Sequence, residues 1–146
     1  MKELSADALR QDIARRLEKQ TSLVLATSSH DRVTARTVYC VSEGLTVYII
    51  TSRAYLKYKQ MQQNPAVALC FDNVQLEGLA RALGHPATAE NEALLRRCAQ
   101  FSEAFWHWAK YKSAVLIAVE TTRAELWQSG ARETLDVAAG KACRIG

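Results

Sequence analysis

Two cations and two hydroxyls carry the chemistry that can be read from this chain. Arg36 lies mid-way along Thr34-Ala35-Arg36-Thr37-Val38-Tyr39, and Lys57 lies in the basic, polar stretch from Thr51 to Pro65. A guanidinium presents a planar fork of donors that fits a phosphate bidentately, and an ammonium adds a compact charge. Thr51 and Ser52 open the polar stretch with hydroxyls and backbone N–H groups, at the kind of helix-entry turn where anions gather. Either cation alone also reads as a solvated surface charge. What favours an anion site is their placement, because neighbouring strands of a meander pair and can bring Arg36 and the end of the next strand to one locus. Lys59, two residues beyond Lys57, points elsewhere on a helix and cannot reach the same ligand.

The elements that would hold these groups follow from periodicity. Leu9, Ile13 and Leu17 recur every fourth residue, with Ser5 as N-cap and Asp7 near the positive end of the dipole, so Ser5 to Gln20 reads as an amphipathic helix. Strands are expected at Leu23 to Thr27, Val33 to Val41, Leu45 to Thr51, Ala66 to Phe71, Val74 to Leu83, Ala114 to Glu120 and Arg123 to Gln128, the last two split at Thr121-Thr122. Ser42-Glu43-Gly44 is a hairpin turn. A short helix from about Ala54 to Gln63 ends at Asn64-Pro65, since the residue before proline leaves the helical region. Glu90 to Phe101 reads as a second helix, and the tail after Gly130 as partly irregular. Alternating Arg36 with its neighbours puts Thr34, Arg36 and Val38 on one face of their strand and Ala35, Thr37 and Tyr39 on the other. Strands joined by short turns with one helical crossover suggest a mainly β, antiparallel barrel with flanking helices, in one domain spanning 1–146.

Composition narrows the function classes. The 146 residues are 49% hydrophobic and 23% charged, an ordinary globular balance, and 19 basic against 15 acidic side chains leave a mild +4. That charge suits a small anion and is too diffuse for a nucleic-acid footprint; strand aromatics Tyr39, Tyr48 and Phe71 are not interleaved with basic residues as a single-strand binder requires. No apolar run is long enough to cross a bilayer and Met1-Lys2-Glu3 opens no signal-peptide pattern, so the expected compartment is the cytoplasm. The four cysteines, Cys40, Cys70, Cys98 and Cys143, have no metal-ligand spacing, and no metal site is expected. Cys40 and Cys70, in apolar strands, are expected to be buried free thiols. No Ser/His/Asp set, Rossmann glycine pattern or P-loop appears.

From Arg36 to Pro65 the order Arg36, Ile50-Thr51, Lys57, Gln60 and Asn64-Pro65 resembles the pyridoxamine 5′-phosphate oxidase-like group of FMN-binding split barrels. The segment Glu125-Leu126-Trp127-Gln128-Ser129-Gly130 resembles that family's late aromatic turn, so the similarity covers most of Ser22 to Gly130. The resemblance implies a six-stranded antiparallel split β-barrel with flanking helices and a homodimer with FMN at the subunit interface. Arg36 and Lys57 then match the phosphate ligands. Thr37, Val38 and Tyr39 match strand residues along the isoalloxazine, with the Val38 backbone a contact, and Ile50 and Thr51 match a pair beside the ribityl chain. Trp127 matches an aromatic that flanks the flavin from the partner subunit; core packing is the other reading for it. The family's fifth-strand glutamine aligns with Asn73, and Gln75, two residues on and facing the same side, stands in for it.

Departures from the family bear on activity. The oxidase's arginine before the phosphate lysine is Leu56 here, with Arg53 or Lys59 as possible substitutes. Its substrate lysine after the strand arginine is Val41, and its C-terminal arginine and histidine fall on Glu133 and Leu135, with Arg132 one residue off. A site for a second phosphate loses most of its affinity without those cations. Oxidation of pyridoxamine phosphate is therefore not expected. The expectation is an FMN-dependent oxidoreductase of unknown small-molecule substrate, reduced by a transiently bound NAD(P)H, with no catalytic side chain assigned. The alternative is a protein that stores or senses a cofactor such as haem or a deazaflavin without turnover. For haem, His107 is the candidate ligand, in the aromatic stretch Phe105, Trp106, His107, Trp108 and Tyr111. That stretch reads either as a hydrophobic plug or subunit contact, or as a substrate wall.

Overall fold

Apolar side chains at every second position turn inward along Ser22–Ser29 (Leu23, Leu25) and along Thr46–Ser52 (Val47, Ile49), the period that a pleated strand imposes. In the computed structural model, which describes residues 1–146, such segments build a single antiparallel sheet wrapped on one core. The order is β1 (Lys2–Leu4), α1 (Ala6–Glu18), β2 (Ser22–Ser29), β3 (Arg32–Tyr39), β4 (Val41–Glu43), β5 (Thr46–Ser52) and α2 (Leu56–Gln63). It continues with β6 (Ala66–Phe71), β7 (Val74–Gly84), α3 (Glu92–Phe101), α4 (Glu103–Trp108), β8 (Ala114–Gln128), β9 (Ala131–Asp136) and β10 (Lys141–Ile145).

β8 is the spine. Along one edge it pairs with β7 for most of its length; along the other, Ala114–Glu120 pairs with β5 and Arg123–Gln128 pairs with β9. From β7 the sheet runs through β6 and β2 to β3, and from β9 through β10 to β1. No ladder joins β3 to β5, so the barrel stays split along that line. Inside it, Leu25, Val38, Ile49, Leu69, Leu76 and Ile117 belong to one buried cluster, which α1 closes with Leu9, Ile13 and Leu17. Each fully buried aliphatic of this kind contributes about 1.5–3 kcal/mol of transfer free energy. Ser5 caps α1 as expected, its Oγ accepting from the Ala8 N–H at 3.2 Å.

The mainly β, antiparallel split-barrel architecture is as expected, with ten strands rather than six. The expected six are β2, β3, β5, β6, β7 and β8; the others are the short or edge strands β1, β4, β9 and β10. Thr121 does not break β8, because its hydroxyl donates to the Leu45 carbonyl at 2.7 Å and keeps the strand in place between its two partners. The tail is a hairpin, not an irregular segment. Leu135 is fully buried, and Gly140, at φ +63°, supplies the left-handed position between β9 and β10. The Ala- and Gly-rich composition hid that strand because a single large apolar residue anchors it.

A close approach fixes the glycine in β7. A Cβ on Gly78 would meet the Glu120 carbonyl oxygen at 2.6 Å and Val119 Cγ1 at 2.8 Å, beside the register shift between Glu77 and Gly78. The cysteines correct one expectation. Cys40 is buried but Cys70 is exposed, because it sits on the outward-facing phase of β6 while Leu69 and Phe71 point in.

Candidate functional site

The split leaves two strand edges facing each other. β3 pairs only with β2, and β4 covers β5 only from Thr46 to Tyr48, so the free edges include Thr37–Tyr39 on one side and Ile50–Thr51 on the other. Unpaired backbone N–H and C=O groups at such edges are ready hydrogen-bonding positions for a ligand. A cleft of about 210 Å³ lies between them, lined by Thr37, Val38, Tyr39, Ile50 and Thr51, with Lys57 entering from α2. Tyr55, Trp108 and Ser22 complete its wall.

Arg36 stands on the inward face of β3, opposite Leu25, while Thr37 and Tyr39 are exposed outward, so the alternation expected from the sequence holds. Its guanidinium donates from Nη1 to Thr27 Oγ1 at 2.8 Å and to the Leu25 carbonyl at 3.2 Å, and from Nη2 to Thr34 Oγ1. Burial pulls the Arg36 pKa down. Lys57 is also held below its ordinary value, first by burial and then by the positive charge of Arg36. The charge of Arg36 on β3 thus reaches Lys57 on α2. Neither has a carboxylate within ion-pair distance. Lys57 Nζ rests instead over the Tyr55 ring, 4.8 Å from its centroid, a weak cation–π contact.

Gln60 sets the distance between the two elements. It is almost fully buried, one helical turn beyond Lys57, and its Oε1 accepts from the Thr27 and Thr34 hydroxyls at 2.5 and 2.7 Å. Its Nε2 donates to the Arg32 carbonyl at 3.1 Å, which fixes the orientation of the amide. Each threonine hydroxyl has one proton; having given it to Gln60, it receives from Arg36. The same two hydroxyls thus fasten α2 and aim the guanidinium.

Thr51 adds an unusual feature. It is buried, and its hydroxyl has no hydrogen-bond partner within the protein. An unpaired buried hydroxyl costs on the order of 1–3 kcal/mol, so a buried orphan at a cleft wall points to an external partner. Ser52 differs: its hydroxyl is occupied, donating to Ser113 Oγ at 2.8 Å and accepting from the Ala54 N–H at 3.2 Å.

Residues 9–128 match the protein family described as pyridoxamine 5′-phosphate oxidase. The chain belongs to that family. Among solved structures of the family's fold, general stress protein 26 from Bacillus anthracis is 19% identical with a TM-score of 0.72, over 88% of this chain and 98% of its own. A FAD-binding protein from Mesorhizobium loti is 15% identical with a TM-score of 0.63, over 84% and 93%. A heme binding protein from Mycobacterium smegmatis is 15% identical with a TM-score of 0.71, over 96% of this chain and 61% of its own. At these identities the likeness establishes the fold. No curated protein matches the chain in sequence.

Within this oxidase-family fold, the cleft gathers Thr37, Val38, Tyr39, Ile50, Thr51 and Lys57 from the sequence-derived set, whereas Arg36 does not line it and its guanidinium is held by Thr27, Thr34 and the Leu25 carbonyl. Gln75 and Trp127 stand apart. Gln75 lies on the outer face of β7, reached from Thr37 along the cross-strand row Thr37, Val24, Cys70, Gln75; three inter-strand steps of about 4.8 Å carry it well outside the cleft. Trp127 is exposed at the end of β8, where the Arg132 guanidinium lies over its indole at 5.8 Å, so it is not a core residue. Tyr55 is not singled out from the sequence, whereas Trp108 belongs to the aromatic stretch for which a substrate wall is one of the two readings, and the cleft lining agrees with that reading. The available signal for Tyr55 was its position at the start of α2, two residues before Lys57.

The positions that distinguish the family's oxidase are structurally committed to other roles. Leu135 is a core residue, Glu133 is buried and accepts from Gln128 Nε2 at 2.6 Å, and Val41 is buried against α3 and α4. Leu56 is exposed. Arg53, a possible substitute for the missing arginine, donates to the Lys112 carbonyl at 3.1 Å. His85 is also engaged: Nε2 is 2.8 Å from the Tyr111 carbonyl, and Nδ1 accepts from the Ala87 N–H at 3.0 Å. No helix is long and apolar enough to cross a membrane.

Proposed function

We propose that this chain binds FMN in the cleft between β3 and β5 and serves as a flavin-dependent oxidoreductase for a small molecule. The observation that carries the reading is the pair Arg36 and Lys57, two cations from separate elements without a carboxylate partner, beside the orphan hydroxyl of Thr51. A phosphoryl group with several acceptor oxygens suits all three. Arg36 and Lys57 would hold that phosphate and Thr51 would donate to it or to the adjoining ribityl chain. Ile50 would border the ribityl chain, and the edge of Thr37, Val38 and Tyr39 would lie along the ring. Bound there, the flavin supplies the hydride chemistry, while the protein fixes it and limits access of water. A reduced nicotinamide is the proposed donor, transiently bound.

A second copy of the chain is the proposed partner. Val33, Tyr39 and Leu79 expose 71, 58 and 50% of their surfaces on the outward side of the sheet, an apolar display that a homodimer would cover. Such a dimer gives Gln75 and Trp127 a route to the ring of the neighbouring subunit. Pyridoxamine phosphate itself is not the proposed substrate, since Val41, Glu133 and Leu135 offer no second phosphate site. The proposed compartment is the cytoplasm.

Titration of FMN into apo-protein tests the reading. Arg36→Ala and Lys57→Ala should each weaken binding by roughly 10- to 100-fold, the range for a lost charge-assisted hydrogen bond. Equal affinity in all three proteins rejects the phosphate assignment. The heme-binding relative motivates a second reading, haem held without turnover through His107, which is exposed on α4. Absorption spectra separate the two: a flavin band bleached by NAD(P)H supports the enzyme, and a Soret band lost in His107→Ala supports the store.

A further inference from the structure

Tyr55 and Trp108 form an aromatic wall on the same cleft that Lys57 lines. Tyr55 stands at the entry to α2 and Trp108 at the end of α4, and both line the cavity with Lys57, Val38 and Thr51. Their rings meet edge-on, with centroids 6.4 Å apart and planes at 77°. Behind Trp108, His107 is also edge-on at 5.8 Å and Tyr111 is tilted by 41° at 5.3 Å, so the cluster is braced from two further residues. None of these contacts is a parallel stack. The indole is anchored by its neighbours, half-buried, and has no flat partner within the chain. Tyr55 also carries the Lys57 ammonium over its ring, which joins the anion site to the aromatic wall in one continuous surface.

We propose that Trp108, supported by Tyr55, is the residue on which the planar ring of the phosphate-bearing ligand stacks, and that each subunit supplies this wall for its own site. The inference rests on the FMN reading above. Its physical content is a match of two features at fixed separation. The anion docks on Arg36 and Lys57, and the attached ring replaces water on an immobilised indole, where offset stacking is favourable beyond the area it buries. A ligand with the phosphate but no ring would gain nothing from Trp108, and a ring without the phosphate would gain little from Lys57. Trp127 on the outer face is independent of this wall, because its indole borders Arg132 and not the cleft.

Flavin fluorescence tests the proposal, since an indole stacked on isoalloxazine quenches its emission. FMN is titrated into wild type, Trp108→Leu, Trp108→Phe and Lys57→Ala, with circular dichroism confirming each fold and inorganic phosphate as the ringless control. In wild type, bound FMN should be strongly quenched. Trp108→Leu should bind FMN roughly tenfold more weakly and recover much of the emission, while its competition by inorganic phosphate stays as in wild type. Trp108→Phe should keep most of the affinity. Lys57→Ala should weaken FMN and inorganic phosphate alike. If FMN binds with its dependence on Lys57 but the Trp108→Leu complex has wild-type affinity and emission, the aromatic wall is overturned and the cofactor reading stands. If wild type does not bind FMN, both fall together.

Discussion

Gln60 and Arg36 share the same two threonine hydroxyls: the amide oxygen of Gln60 accepts their protons, and Arg36 donates to their oxygens. A buried glutamine on α2 therefore dictates how a guanidinium on β3 is held. Gln60→Leu keeps the volume and removes the acceptor, leaving two hydroxyl donors and the Arg32 carbonyl to find other partners. The expected cost is about 1–3 kcal/mol of unfolding free energy, together with weaker anion binding although Gln60 is not placed on the anion. Chemical denaturation and FMN titration of the same variant check both. Unchanged affinity with lowered stability would show that α2 does not need this anchor to present Lys57.

The pH dependence of the site follows from Lys57. Burial, then the charge of Arg36, sets its folded-state pKa below the ordinary 10.5. A cation with a lowered folded pKa opposes folding when protonated. That penalty is complete at neutral pH and disappears as pH rises through the folded pKa toward 10.5. Apo Lys57→Met should therefore melt higher than apo wild type near pH 7, with the gap closing in the alkaline range. A bound phosphate gives the ammonium a partner and raises its pKa, so FMN affinity should fall as pH climbs through that same window. Thermal melts and titrations across pH 7 to 11 measure the two slopes. A gap that widens on going alkaline contradicts the assignment.

Thiol chemistry separates buried positions from the outer face of the sheet. Burial pushes Cys40 to about 11 and Cys98 to about 12, so both stay protonated and shielded at neutral pH. Cys70 is exposed on the outer face, in the row that leads to Gln75. Mass spectrometry after brief alkylation should find Cys40 and Cys98 unmodified. If a second copy covers this face, Cys70 should react faster in a Val33→Asp variant, which places a charge in the proposed contact, than in wild type. Equal rates would count against the dimer geometry.

Gly78→Ala tests the packing of β7 on β8. The new methyl would sit 2.6 Å from a backbone oxygen, and a backbone atom cannot step aside as a side-chain tip can. About 1–3 kcal/mol of destabilisation is expected, the range for overpacking. A shift in the urea midpoint at constant slope reads it directly. No loss of stability would mean that the bulge slides to absorb the methyl group.

Much of this was legible in the chain because it is local. The four-residue spacing of Leu9, Ile13 and Leu17, the Ser5 cap and the alternation that turns Arg36 inward and Tyr39 outward depend on neighbours a few residues away. Those features emerged as read. Cys70 was misplaced for a related reason: an apolar run such as Ala66–Phe71 does not say which phase faces in, and only pairing with β2 and β7 settles it. The C-terminal hairpin was invisible because its burial depends on contacts with β8 and β1 that no local pattern encodes.

By itself the order of residues supplied the parts that a phosphate-type anion site would need: an arginine in one strand, a lysine in the crossover after the next, and a threonine between them. Folding decided what surrounds them. Pairing from β3 through β2, β6, β7 and β8 to β5, with no ladder between β3 and β5, leaves two backbone edges free beside Lys57, and it sets Gln75 and Trp127 several strands or a strand's length away from them. It also delivers Trp108, far away in sequence, to the cleft wall. Periodicity reports which face of an element is apolar, but the cleft is made by which elements end up adjacent, and that is settled by the long-range burial that pairs β5 with β8.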